Sequence, residues 1–231
     1  MLNVELAGLN ITIDNRYAYI RKYCQEYLAD FETADISVFA TEEETMAEDK
    51  ESEGYSASDL ETLAVYRKIA DKLVDYEGFL MHGVVLDICG TGVAFLAQSG
   101  VGKSTHARMW KDLLGDKMTV VNGDKPLVRF DGNTPYAYGT PWAGKEGIQT
   151  NMKTPLKNIC FIQRAETNEC VKLDKKAVLP LLMPQIHRPQ NPMVYVKTID
   201  LMTRLVENAD FYLVKCTPTV EAAEVAYNTI F

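Results

Sequence analysis

The chain has 231 residues, enough for one sizeable domain or a domain with a small appendage. A hydrophobic share of 47% beside 24% charged residues is that of an ordinary soluble globular protein, and a net charge of −8 argues against a nucleic-acid platform, which needs a basic face. The five cysteines (Cys24, Cys89, Cys160, Cys170, Cys216) are scattered, odd in number and without a C-x-x-C pair, which suits reduced thiols better than a disulfide framework or a zinc site. No apolar stretch approaches the ~20 residues of a membrane span, and the first residues lack a basic segment followed by an apolar one. A cytoplasmic protein with neither membrane nor nucleic-acid partners is expected.

In chain order, residues 1–13 alternate as a strand or short hairpin across Gly8. Tyr17 to Leu28 has helical spacing, and Ile36-Ser37-Val38-Phe39 reads as a strand. Thr41 to Tyr55 is rich in Glu and poor in apolar residues, a solvated loop or frayed acidic helix, with a functional acidic patch as the alternative. Ser56 or Ser58 is placed to cap a helix to about Asp75, burying Leu60, Leu63, Tyr66, Ile69 and Leu73. His82 to Ile88 and Gly92 to Leu96 are apolar runs joined by Cys89-Gly90-Thr91, a β-hairpin signal. Met118 to Val121 is a further strand closing on Asn122-Gly123-Asp124. Gly132 to Thr154, rich in Gly, Pro, Thr and Tyr, reads as loops around a site. Leu156–Gln163 with Cys170–Leu173 suggests a second hairpin, and Ala177–Ile186 a helix ended by His187-Arg188-Pro189. A helix over Val194–Asn208, a strand over Phe211–Val214 and a helix from Thr219 complete the chain. The domain organisation expected is a single domain over 1–231, with a strand-helix elaboration at 1–78 and a nucleotide-binding core at 79–231.

The most informative stretch is Ala97-Gln98-Ser99-Gly100-Val101-Gly102-Lys103-Ser104. Gly100 and Gly102 let the backbone curl so that successive N–H groups face phosphate oxygens. Lys103 supplies a mobile positive charge for the β- and γ-phosphates, and Ser104 a hydroxyl for Mg²⁺. The helix expected from Ser104 to about Leu114, with Ala107, Trp110 and Leu114 as its stripe, aims its positive end at the same anion. A Gly-rich turn capping a helix is the competing explanation. The preceding strand-type run Val93–Leu96 and the following helix supply the order that phosphate binding requires. Ser99, Gly100, Val101, Gly102, Lys103, Ser104 and Thr105 are therefore the nucleotide-binding candidates. Asp124, directly after an apolar strand, is a candidate for holding the metal or handling the acceptor's proton, against a plain turn aspartate. Asn122 and Lys125 flank it as candidate phosphate or acceptor contacts. His82 opens the hairpin that feeds the loop, and a structural histidine is the alternative there.

Together, His82-Gly83-Val84-Val85-Leu86-Asp87-Ile88, Gly90-Thr91-Gly92-Val93-Ala94-Phe95-Leu96 and Ser99-Gly100-Val101-Gly102-Lys103-Ser104 resemble the kinase domain of HPr kinase/phosphorylase, a relative of ATP-dependent phosphoenolpyruvate carboxykinase. The similarity covers about residues 79–130, and the shorter HPr-kinase-like proteins of bacteria look like a closer match than the full enzyme. The resemblance implies an α/β, phosphoenolpyruvate carboxykinase-like P-loop fold with a mixed sheet and flanking helices. It implies a magnesium-dependent, ATP-binding transferase with Lys103 and Ser104 on phosphate and metal, His82 at the site and Asp124 as catalytic group or metal ligand. The family's paired aspartates fall on Gly123-Asp124, so only one carboxylate carries over. The family's Glu-x-Arg-Gly-x-Gly segment falls near Trp142–Gly147, where Lys145 and Glu146 are acceptor-side candidates or a surface ion pair. Arg188 is another acceptor-side candidate, or a helix C-terminal cap. The expected activity is transfer of the γ-phosphoryl group of ATP to a hydroxyl, such as a serine of a protein or peptide. A non-catalytic nucleotide-binding regulatory module is the first alternative, and carboxykinase chemistry on a small acid the second, although only Arg129 near Asp124 could serve a carboxylate. A homo-oligomer is left open.

Overall fold

The computed structural model describes residues 1–48 and 54–231, and the acidic tract expected over Thr41–Tyr55 lies partly outside them. The chain divides into two compact units, Met1–Tyr76 and Glu77–Phe231.

In the first unit, β1 (Leu2–Leu6) and β2 (Leu9–Asp14) form an antiparallel hairpin whose turn carries Ala7 and Gly8 at positive φ. β3 (Ile36–Phe39) pairs with β2 in parallel. Tyr17–Leu28 is less regular than its spacing predicts: α1 (Tyr19–Tyr23) is one short helix, followed by a 3-10 turn over Gln25–Tyr27. Its start lacks a side-chain cap, and five residues are too few for a helix to persist without one. The described part of the acidic tract forms α2 (Glu42–Ala47), started by a capping box between Thr41 and Glu44. α3 (Ala57–Leu73) starts with the same device, Ser56 with Asp59, and buries Leu60, Tyr66, Ile69 and Leu73 as expected. Leu63 is half-buried.

Among the described residues, the second unit holds a nine-stranded mixed sheet. Its strands are β4 (Gly78–Leu80), β5 (Val84–Ile88), β6 (Thr91–Leu96), β7 (Met118–Asn122), β8 (Leu127–Asp131), β9 (Thr134–Tyr138), β10 (Lys153–Arg164), β11 (Glu169–Lys172) and β12 (Asp210–Cys216). The β5–β6 hairpin turns at Cys89 and Gly90, both at positive φ, and Asp87 Oδ1 accepts the Gly90 N–H at 3.0 Å. β10 is the spine. Its first residues pair antiparallel with β9, and its second half runs parallel to both β6 and β12. The helices are α4 (Lys103–Leu114), α5 (Leu179–Leu182), α6 (Pro192–Asn208) and α7 (Val220–Ile230). Val84, Leu86, Val93, Phe95, Cys160 and Val214 of the sheet form one core with Trp110 of α4 and Ala223 of α7. Burial of this apolar surface is the main stabilising term for the packing. No described helix is long and apolar enough to cross a membrane.

Three sequence expectations for this unit change. Gly132–Thr154 is not all loop, because Thr134–Tyr138 is strand β9 between β8 and β10. Its alternating burial fits a strand, a period that the many Gly, Pro and Tyr residues of the segment obscure. Leu156–Gln163 and Cys170–Leu173 do not pair with each other. β12 lies between them, parallel to β10 and antiparallel to β11. β10 is apolar on both faces over Ile159–Ile162, and burying it requires a central place in the sheet. The helix expected over Ala177–Ile186 is broken into a 3-10 turn, one turn of α5 and a second 3-10 turn. Pro184 has no N–H to continue the ladder and clashes with the preceding turn.

Candidate functional site

The Ala97–Ser104 segment leaves the C-terminal end of β6 and enters α4. Gly100 has φ +78° and Gly102 φ +124°, conformations that L side chains rarely adopt, so both glycines are required by the curl itself. The Val101 N–H donates to Gln98 O at 3.3 Å, and the His106 N–H makes the first helical bond to Gly102 O at 2.9 Å. That leaves the first-turn N–H groups of Lys103, Ser104 and Thr105 without helical acceptors, at the positive end of the helix dipole. Lys103 is only 8% exposed, and its Nζ donates to Ala97 O at 2.8 Å. Burial pushes its pKa down, and the negative charge of Asp124 pushes back. Ser99 and Thr105 are exposed, and Ser104 is half-buried.

Asp124 sits just beyond β7 in a turn that is fixed by a neighbouring side chain. Asn122 is fully buried, and its Oδ1 accepts the N–H groups of Asp124 (2.9 Å) and Lys125 (2.7 Å). Its amide nitrogen donates to both oxygens of Thr140 at 3.0 Å, and the Thr140 hydroxyl donates to Lys125 O. His82 reaches Asp124 from the start of the β5 hairpin: its Nε2 lies 3.1 Å from Oδ1, and the Gly83 N–H donates to Asp124 O at 2.8 Å. Burial raises the Asp124 pKa. The His82 hydrogen bond and the charges of Lys125, His82 and Lys103 outweigh that, and the carboxyl ends below its ordinary value. Asp124 is therefore ionised at neutral pH.

Gly123 is the position on which the sequence resemblance places a second carboxylate. A Cβ there would meet Ala143 O and Ile148 O, each at 3.0 Å, so two backbone carbonyls fill the space of a side chain. Gly144, at φ +75°, lets the Trp142–Gly147 segment pass close over Asp124, since a Cβ on it would fall 2.9 Å from that of Asp124.

The structure thus brings His82, Lys103 and Asp124 within hydrogen-bond or electrostatic reach, with Lys125 beside them. It does not join the remaining candidates to that group. Glu146 pairs with Arg108 of α4 at 2.9 Å and not with Lys145, and both residues of the 145–146 pair are exposed. Arg188 caps no helix. Its guanidinium lies over the Tyr195 ring, 5.1 Å from the centroid, at a cleft of about 290 Å³ that Met183, His187 and Met202 also line. The segment leading to it does touch the site's frame, because His82 N–H donates to Gln185 O at 2.7 Å. Among the described residues no group of three or more His, Cys, Asp or Glu side chains is arranged to hold a metal ion.

Two residues at the site have no sequence signal. Arg164, the last residue of β10, donates from Nε to Val101 O at 2.9 Å and from its second terminal nitrogen to Gly100 O. Thr140 holds Asn122 from within a segment read as loop.

No family profile matches the sequence, and no curated protein matches it. Among solved structures the fold is similar to that of the Hpr(Ser) kinase/phosphatase from Coxiella burnetii, at 14% identity and a TM-score of 0.39, covering 65% of this chain and 94% of that one.

Proposed function

We propose that the chain is an ATP-dependent, HPr kinase-like phosphotransferase with a phosphoenolpyruvate carboxykinase-like P-loop fold, moving the γ-phosphoryl group to a hydroxyl, such as a serine of a protein or peptide. The observation that carries the reading is the His82–Asp124 pair standing beside a loop whose buried lysine is held on Ala97 O and feels the charge of that carboxylate. A glycine turn that merely capped α4 would need neither a buried ammonium nor an ionised carboxylate facing it.

Lys103 and the first-turn amides are the groups available to stabilise charge spread over the equatorial oxygens of the transferred phosphoryl. In this reading nucleotide entry draws the Lys103 ammonium from Ala97 O to phosphate. Ser104 and Asp124 are the side-chain oxygens that would hold Mg²⁺, which would neutralise charge on the β- and γ-phosphates. Asp124, held below the ordinary carboxylate range, is a weak proton acceptor, so its part is to orient the attacking hydroxyl and hold the metal. His82 fixes which way that carboxylate faces. The test is phosphate transfer from labelled ATP to fractionated lysate by wild type and Asp124→Asn. The variant should lose at least about hundredfold in turnover while binding nucleotide within a few-fold of wild type. Full transfer by Asp124→Asn would sink the assignment.

The filled space at Gly123 favours a second reading, a nucleotide-binding regulatory module without turnover. Incubating the pure protein with Mg-ATP for hours, with and without cell extract, separates the two: ADP above that of the protein-free or extract-only control appears only if the chain turns over.

A further inference from the structure

We propose that Arg164 is a positioning residue of the anion site, which sets the orientation of the peptide planes of the phosphate loop without touching the phosphate; this rests on the phosphate-binding reading of the loop. Three observations carry it. Arg164 lies 64 positions from Gly100, on a different strand, yet its guanidinium donates to the carbonyls of two consecutive loop residues, Gly100 and Val101. A peptide unit is planar and trans, so fixing a carbonyl fixes the following N–H in the opposite direction. Holding Val101 O on the Arg164 side thereby turns the Gly102 N–H away from Arg164, and holding Gly100 O keeps the Val101 N–H on Gln98 O, which closes the turn beneath it.

The loop also needs such a hold. Gly100 and Gly102 flank these planes at positive φ, and glycine moves between conformations of either sign at little cost. A peptide flanked by glycines can flip, and each flip would present a carbonyl oxygen to the anion in place of an N–H. Lys103 fastens the entry of the loop through Ala97 O, and the helical bond from His106 to Gly102 O fastens its exit. Arg164 fastens the middle. The planar fork of arginine holds two adjacent carbonyls at a fixed spacing and orientation, which the rotating point charge of lysine does not, and this distinguishes the two here.

The experiment compares wild type, Arg164→Lys and Arg164→Ala in two measurements. Calorimetry with ATP and with inorganic tripolyphosphate should show about a tenfold loss for Arg164→Ala, the same for both ligands because the effect is borne by the phosphates. Arg164→Lys should recover only part of it. Hydrogen exchange of the loop amides in the unliganded protein should be faster in Arg164→Ala, with the global melting temperature unchanged. Equal loop exchange in wild type and Arg164→Ala overturns the inference. So does a loss confined to ATP, or full recovery by lysine, which would make Arg164 a direct phosphate contact. Failure of the wild type to bind either ligand overturns the nucleotide reading instead, and the exchange data still decide whether Arg164 orders the loop.

Discussion

The phosphate loop and the Asn122–Lys125 turn both present polar groups at strand ends, but they are built on opposite plans. The loop owes its shape to two positive-φ glycines and to cations that hold its carbonyls from inside (Lys103) and from a distant strand (Arg164). The turn owes its shape to one buried amide, Asn122, which bonds forward to two N–H groups and sideways to Thr140. The first arrangement is adaptable and can exchange its internal bonds for a ligand's. The second is fixed before any ligand arrives, and it holds Asp124 in a set direction.

Breaking the fixed element should have the largest effect. Asn122→Ala deletes a fully buried hub and leaves its partners unsatisfied, and urea unfolding should show a loss of about 4 kcal/mol. The corresponding change in the loop, Lys103→Ala, should behave in the opposite way. Nucleotide affinity measured by calorimetry falls about hundredfold, while stability holds or rises because a buried ammonium is gone. Gly123→Asp tests whether the turn could accept a second carboxylate. With carbonyls on both sides of the new Cβ, it should cost about 2 kcal/mol and give no gain in turnover. The last effect is spread over pH and concerns the anchor behind the loop. His106 on α4 is buried, accepts the Trp110 indole N–H at 3.0 Å, and burial pushes its pKa down to about 4 from 6.5. The unfolded chain takes up the proton first, so this contribution is complete above pH 6.5 and is lost as pH falls toward 4. The slope reaches about 1.4 kcal/mol per pH unit, and His106→Leu should flatten it in unfolding measured across that range.

How much of this was legible follows the same division. The loop could be read from consecutive residues because its glycines, lysine and helix start are local to one another. The β5–β6 hairpin was legible for the same reason, since its turn residues lie between two apolar runs. Asp124 was readable only as a carboxylate after a strand. That Asn122 aims it is a bond across two residues, but that Thr140 holds Asn122, that His82 faces Asp124 and that Gly144 makes room above it depend on segments far apart in sequence. Arg164 was invisible because a basic residue at a strand end has no local signature. The mistaken hairpin at Leu156–Leu173 came from treating sequence neighbours as sheet neighbours, whereas β10 has its parallel partners in β6 and β12. The broken helix near Pro184 could have been read, because the proline itself announces it.

The spine strand β10 also sets an order of events in folding. Its parallel partners lie far away in sequence, and the Arg164–Gly100 contact closes a span of 64 residues. Such closures cost chain entropy before any contact compensates, so pairings of this kind form late. On that ground the anion-binding loop is expected to be completed only after β10 has docked between β6 and β12. A polyphosphate that recognises the completed loop therefore meets its target on the native side of the folding barrier. It would retard unfolding in stopped-flow measurements and leave the refolding rate where it was.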